Sequence, residues 1–133
     1  MTFKSKHISI RGEQGQTMTE FAIILPLLAL LLFAVIQFGI VFNNYVAVTD
    51  ATRAGARKAS VSRDLVNPAR VAEAAVRASA AGLDQSQLGV AVTSTFERGT
   101  DVTIRTSYPY SINLLGLVVK SGRLTSTTTE RVE

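Results

Sequence analysis

A single glutamate, Glu20, stands at the edge of the longest uncharged stretch of this sequence. It is followed from Phe21 to Phe42 by 22 residues without a charge, FAIILPLLALLLFAVIQFGIVF. A carboxylate beside so apolar a segment is costly unless its side chain reaches water, takes up a proton or pairs with a cation. A negative charge near a helix N-terminus is also favourable in its own right. Glu20 is therefore a candidate for ion pairing, with an ordinary interfacial role as the alternative.

Composition excludes most catalytic chemistry. The 133-residue chain has no cysteine, which rules out disulfides, thiolate metal sites and cysteine nucleophiles. Its single histidine, His7, precedes the apolar stretch, which argues against a serine–histidine–acid triad. The sequence shows no phosphate-binding glycine loop or catalytic carboxylate pair, and Asp84 and Asp101 lie in predicted turns. We therefore expect no enzyme, no cofactor and no metal. The net charge of +4 is scattered, so nucleic acid is not an expected partner.

The apolar stretch over residues 21–42 has the length of a membrane span. As a helix it extends about 33 Å, enough for a hydrocarbon core of about 30 Å. A small domain could not surround a helix that is apolar on every face, and a cleaved signal peptide would have a shorter apolar region. Basic residues precede the stretch at Lys4, Lys6 and Arg11. The first basic residue after it is Arg53, so the N-terminus is expected in the cytoplasm and the C-terminal part outside.

Two helices are predicted. The first runs from about Thr17 to about Ser60, because helically spaced alanines continue the apolar stretch. Its arginines are expected on a solvated face, and Gly39 and Gly55 are candidate bends. The second spans about residues 68–81, with Asn67 as its N-terminal cap and Gly82 as its stop. Two further features are expected of it: a Glu73–Arg77 ion pair, and a face of small residues formed by Val71, Ala75 and Ala78 with Val76 beside them.

The remaining sequence alternates apolar and polar residues as strands do. Residues 90–96 and 102–108 are predicted to form an antiparallel hairpin. Tyr108-Pro109-Tyr110 is predicted to end the second strand, since proline cannot continue a central ladder, and the tyrosines are expected to pack at the strand end. A third strand is predicted over about residues 123–132. The apolar stretch 112–119 is too short to cross a membrane and is expected to be a short helix or loop under the sheet, or an exposed contact patch.

The predicted fold is therefore α+β. A long N-terminal transmembrane helix continues into a small extracytoplasmic domain, which contains one further helix and a roughly three-stranded antiparallel sheet.

Residues 11–39, RGEQGQTMTEFAIILPLLALLLFAVIQFG, resemble the N-terminus of a TadE-like minor pilin, or pseudopilin, of the Tad (Flp) pilus, within the type IV pilin-like family. The similarity lies in the arginine-glycine leader, the glutamate-phenylalanine pair, the early proline and the late phenylalanine-glycine. Compositional similarity extends to ATRAGARKAS after the span and to the tail VTIRTSYPYSINLLG…LTSTTTERVE. The first part is the specific one.

The resemblance implies that a prepilin peptidase cuts the chain between Gly15 and Gln16. Residues 1–15 would then be a cytoplasmic leader, 16–60 the N-terminal helix and 61–133 the extracytoplasmic domain. It further implies that Glu20, in the Glu20–Phe21 pair, acts in assembly by meeting the terminal amine of a neighbouring subunit.

The function implied is that of a processed minor pilin in the bacterial cytoplasmic membrane, acting in assembly of a Tad-type pilus or a related secretion system. A place in the filament and a place at its base both stay open. The expected partners are the prepilin peptidase, other pilin-like subunits, the Tad assembly machinery and membrane lipid. The alternative is an unprocessed single-pass accessory protein that scaffolds an envelope complex.

Overall fold

The computed structural model describes residues 11–133, with side chains from residue 15 onward. Its first element, α1, is one helix of 50 residues over Arg11–Ser60, or about 75 Å at about 1.5 Å per residue. The helix begins earlier than the predicted Thr17 and ends at the predicted Ser60. Residues 1–10 of the predicted leader, including His7, lie outside the described residues.

The N-terminal half of α1 turns apolar side chains outward on every face. Leu27 inside the uncharged stretch and Phe42 at its end are each 68% exposed. Within the part of the chain that the structure describes, α1 is the one helix long and apolar enough to cross a membrane, and none of its most apolar window is buried. A surface of this kind is unsuited to water, so the predicted span over residues 21–42 has the character of a membrane anchor.

The C-terminal half of α1 supports a small domain. Side chains spaced three or four residues apart fall on one face of a helix. On α1 that face is buried and consists of small residues: Val48, Ala51, Thr52, Gly55, Ala56 and Ala59. Arg53, Arg57 and Lys58 are exposed on the other side, as predicted. Gly55 lies inside this continuous helix, at a point of close contact with α2 and the sheet.

The second helix, α2, covers Pro68–Ser79 and starts as predicted. The backbone N–H of Arg70 donates to the Asn67 side-chain oxygen at 3.0 Å, which caps the helix. The Arg77 Nη2 atom lies 2.9 Å from a Glu73 carboxylate oxygen, so the predicted ion pair is present at a partly exposed position.

Two details of α2 differ from the prediction. The buried residues are Ala72 and Val76 in α2 and Ala80 just after it. Of the predicted face, only the neighbouring Val76 is among them, whereas Val71 and Ala75 are half-buried and Ala78 is exposed. The reason is the approach of α2 to α1. A Cβ atom on Gly55 would collide with the Val76 side chain and lie 3.3 Å from the Ala72 carbonyl oxygen, so this face must turn inward.

The helix also ends before the predicted stop, Gly82. The side-chain amide of Gln85 donates to the carbonyl oxygens of Ala80 at 2.7 Å and Leu83 at 3.2 Å. The bond to Ala80 satisfies the carbonyl of the residue that caps the helix, which needs a partner outside it. The Gln85 side chain therefore caps this end of the helix, where Gly82 was the predicted stop.

The predicted three-stranded antiparallel sheet is confirmed. Its strands are β1 (Gly89–Thr93), β2 (Asp101–Leu114) and β3 (Leu117–Arg131), in the order β1-β2-β3. β1 is shorter than predicted because the chain leaves the extended conformation at Phe96, whose φ is 55°.

The prediction that Tyr108-Pro109-Tyr110 ends the second strand is wrong. β2 continues through Pro109 to Leu114, and Pro109 is paired with Arg123 of β3. β1 pairs with β2 only as far as Ser107, so β2 has one free edge beyond that residue. A proline is tolerated on such an edge because no ladder bond is lost on the free side. The stretch 112–119 is therefore neither helix nor loop under the sheet, but the end of a long hairpin.

The core lies between the sheet and the two helices. Val102, Ile104 and Thr106 of β2 are fully buried on the face turned towards α1. Tyr108 packs against this core, and its hydroxyl accepts from the Asp84 backbone N–H at 3.3 Å. Tyr110 covers Gly122 on the neighbouring strand, since a Cβ there would lie 3.0 Å from its ring. Both tyrosines thus have packing roles, but inside β2 and not at a strand end as predicted.

Replacement of Gly55 by alanine is expected to destabilise the domain. Overpacking against Val76 should lower the free energy of unfolding by about 1–3 kcal/mol, although alanine is the better helix former. The measurement is a denaturant titration of the full chain in detergent micelles, followed by tyrosine fluorescence. The matched control is Gly39→Ala in the same helix, where a Cβ would meet nothing within 4 Å. Equal midpoints for the two variants would contradict the close contact.

The two buried threonines are expected to respond in opposite ways to replacement by valine. The Thr106 hydroxyl is buried without a partner among the described residues, whereas the Thr52 hydroxyl donates to the Val48 carbonyl at 2.6 Å. Thr106→Val should raise the free energy of unfolding by about 1 kcal/mol, and Thr52→Val should lower it by about 0.5–1.5 kcal/mol. The same titration measures both changes. Destabilisation by Thr106→Val would show that this hydroxyl has a partner after all.

Candidate functional site

The residues singled out before the apolar stretch lie on consecutive turns of α1. The Gln16 side-chain amide donates to a Glu20 carboxylate oxygen at 3.1 Å, and both side chains are exposed. The Thr19 hydroxyl donates to the Gly15 carbonyl oxygen at 2.9 Å. Each pair is separated by four residues, so the bonds follow directly from helical geometry. Gln16 and Glu20 therefore share one face at the edge of the apolar stretch.

Gly15 and Phe21 are both accessible. A Cβ atom on Gly15 would meet nothing within 4 Å, so the backbone there is open to an approaching molecule. Phe21 is 59% exposed and is the first residue of the uncharged stretch.

Glu20 has a neutral partner in this structure. Its carboxylate accepts a hydrogen bond from Gln16, and no ion pair of Glu20 occurs among the described residues. A carboxylate at the boundary of hydrocarbon is costly when it lacks a cation. The geometry therefore presents a negative group whose charge is not compensated within the described chain.

The other acidic residues considered from the sequence have local roles. Asp84 accepts from the Ser86 hydroxyl at 2.6 Å, the Ser86 backbone N–H at 3.0 Å and the Gln87 side-chain amide at 3.0 Å. These bonds, that from the Ser86 hydroxyl above all, lower the pKa of Asp84. The stabilisation they provide is present above the ordinary pKa of an aspartate and is lost as the pH falls through the lowered one. Asp101 lies 3.8 Å from Arg131 in an exposed ion pair.

One site-like feature was not visible in the sequence. The outward face of the sheet carries a shallow depression of about 340 Å³, whose lining includes Arg105, Arg123 and Ser107. The Arg123 guanidinium donates to the Ser107 hydroxyl at 3.1 Å. The two arginines come together only because the strand register places their segments side by side, so no local pattern indicates the pair. No cluster of three or more potential metal ligands occurs within residues 15–133.

α1 is apolar and exposed over one half, and over the other half it packs against a small α+β domain. A family model described as TadE-like protein matches residues 15–57 of the chain. The chain is therefore TadE-like over its N-terminal helix, and the resemblance inferred from the sequence is confirmed there. The TadE-like family is structural and is associated with Tad pilus systems. Comparisons with curated proteins and with solved structures give no match.

Proposed function

We propose that this protein is a pilin-like subunit that acts in assembly of a Tad-type pilus or a related secretion system. The observation that carries the proposal is the TadE-like match over residues 15–57, which coincides with the exposed apolar half of α1 and the part that packs on the domain. The subunit is anchored in the bacterial cytoplasmic membrane through residues 21–42. Its domain contacts other pilin-like subunits and the assembly machinery.

The charges around the span support a cytoplasmic N-terminus. Basic residues resist translocation, and three of them, Lys4, Lys6 and Arg11, precede the span. On the other side, Asn43 and Asn44 follow the span without a charge, and the first basic residue is Arg53. The α+β domain then lies outside the cytoplasm.

The second part of the proposal is that a prepilin peptidase cleaves the peptide bond between Gly15 and Gln16. The absence of a side chain at Gly15, with open space around it, leaves the backbone accessible to catalytic groups. The family match begins at this residue. Cleavage releases a new amine at Gln16, four residues before Glu20.

The third part is that Glu20 acts in assembly with Phe21 beside it. Inside the described chain, Glu20 has only the neutral Gln16 side chain as its hydrogen-bond partner. The released amine of a neighbouring subunit supplies the missing positive charge when the helices pack side by side. Such a pair offsets the cost of a carboxylate in apolar surroundings, and it also sets the register between helices.

Intact-mass measurement of the protein extracted from membranes tests the cleavage. The chain is expected to lack residues 1–15. Gly15→Trp should block the change in mass completely, because the bulky side chain prevents close approach to the bond. Gly12→Trp is the matched control and should be shortened normally. A wild-type chain that keeps residues 1–15 would refute processing and favour the unprocessed accessory protein.

Glu20→Gln tests the assembly role, since it removes the charge and retains the size. We expect normal cleavage but at least about a tenfold loss of the protein from high-mass complexes in detergent extracts, because a buried amine left without its partner is strongly unfavourable. Asp50→Asn is the control, since Asp50 is an exposed acid on the same helix, 3.9 Å from Arg53. If Glu20→Gln enters complexes as well as the wild type, the proposed ion pair is not needed.

A further inference from the structure

The end of the β2–β3 hairpin, residues 114–119, is an exposed apolar tip. Leu115, Leu117, Val118 and Val119 are 66%, 74%, 64% and 63% exposed. The turn has positive φ values at Leu115 (51°) and Gly116 (89°), a conformation that normally favours asparagine or glycine at the first position. A leucine thus occupies a strained position without gaining burial inside the chain. These side chains are placed for contact with something outside it.

The direction of the hairpin follows from two points of contact with α1. The Glu133 N–H donates to the Ser60 carbonyl at 3.0 Å, at the C-terminal end of α1. Ile104, which is paired with Thr128 of β3, lies next to Gly55. The step from Ser60 to Gly55 runs towards the N-terminus of α1, and the matching step from Glu133 to Thr128 runs back along β3 towards the turn of the hairpin. The hairpin therefore points back towards the apolar half of α1.

The hairpin is also long enough to reach the end of that half. From Ile104 to Leu114 the strand covers about 33 Å at about 3.3 Å per residue. From Gly55 to Phe42 the helix covers about 20 Å at about 1.5 Å per residue. A strand inclined by about 50° to the helix axis still brings its end level with Phe42. The hairpin is therefore long enough for its apolar tip to reach the level of Phe42, where the proposed span ends.

The charges near the tip fit a membrane surface. The sequence contains no acidic residue between Tyr108 and Thr129, and its basic residues there are Lys120 and Arg123, both exposed. Apolar side chains flanked by basic residues and tyrosines are typical of segments that sit in the headgroup region. Anionic lipid would add to the attraction.

We propose that this tip inserts into the headgroup region of the leaflet that faces the domain. The bilayer then holds the protein at two places, the span and the hairpin. The inference rests on the proposed anchorage through residues 21–42, but not on cleavage after Gly15 or on pilus assembly.

Single-cysteine variants of the full chain test the insertion, since the sequence has no native cysteine. Val118→Cys reports on the tip, Thr127→Cys on the exposed sheet away from it, and Phe33→Cys on the span. Each is labelled with an environment-sensitive fluorophore and reconstituted in phosphatidylcholine vesicles, with or without phosphatidylglycerol, that carry spin-labelled lipid. We expect lipid quenching at Val118 to be several-fold stronger than at Thr127. Lys120→Gln, at the residue next to the tip, should lower the ratio of inserted to free tips by about fivefold in the anionic vesicles.

The three probes separate the possible failures. Quenching at Phe33 with equal, weak quenching at Val118 and Thr127 would overturn the insertion and leave the anchor intact. A Val118 probe shielded from water but not quenched by lipid would mean that protein covers the tip, which also overturns it. Absence of quenching at Phe33 would overturn the proposed anchorage and this inference with it.

Discussion

The contact of Gly55 with Val76 is the constraint on which the rest of the domain depends. A side chain on residue 55 would occupy the space of the Val76 side chain, so α1 and α2 can approach this closely only at a glycine. That approach turns Ala72 and Val76 inward, and Ile104 of the sheet meets the same point. The small residues along the buried face of α1 extend the close contact above and below. The lack of a side chain at Gly55 therefore determines how closely α1, α2 and the sheet pack together.

α1 is one continuous helix whose two halves have different surroundings. Its N-terminal half exposes apolar side chains, whereas its C-terminal half buries a stripe of small ones beneath the sheet. Because the helix is continuous over Arg11–Ser60, a displacement of the span along or about its axis is passed directly to the domain. Glu20, at the start of the apolar half, is thus joined to the domain by one continuous helix, so the packing of the apolar half also affects how the domain is oriented.

Features that arise from neighbouring residues could be predicted from the sequence, including the apolar span, the cap of α2, the three strands and the position of Glu20 at a polarity boundary. Features that arise from contacts between distant segments could not. The buried face of α2 depends on Gly55, and the passage of β2 through Pro109 depends on where β1 stops pairing. The meeting of Arg105 and Arg123 likewise depends on strand register. In each case the deciding residue is remote in the sequence.

Val132 and Glu133 complete the packing of the domain. Val132 is almost completely buried, and the Glu133 N–H bonds to the carbonyl of Ser60, where α1 ends. The core is thus incomplete until Val132 and Glu133, which follow β3, are in place. Because synthesis proceeds from the N-terminal side, the apolar stretch over residues 21–42 is made well before the residues that complete this core. The domain can therefore complete its folding only after the apolar stretch has been synthesised.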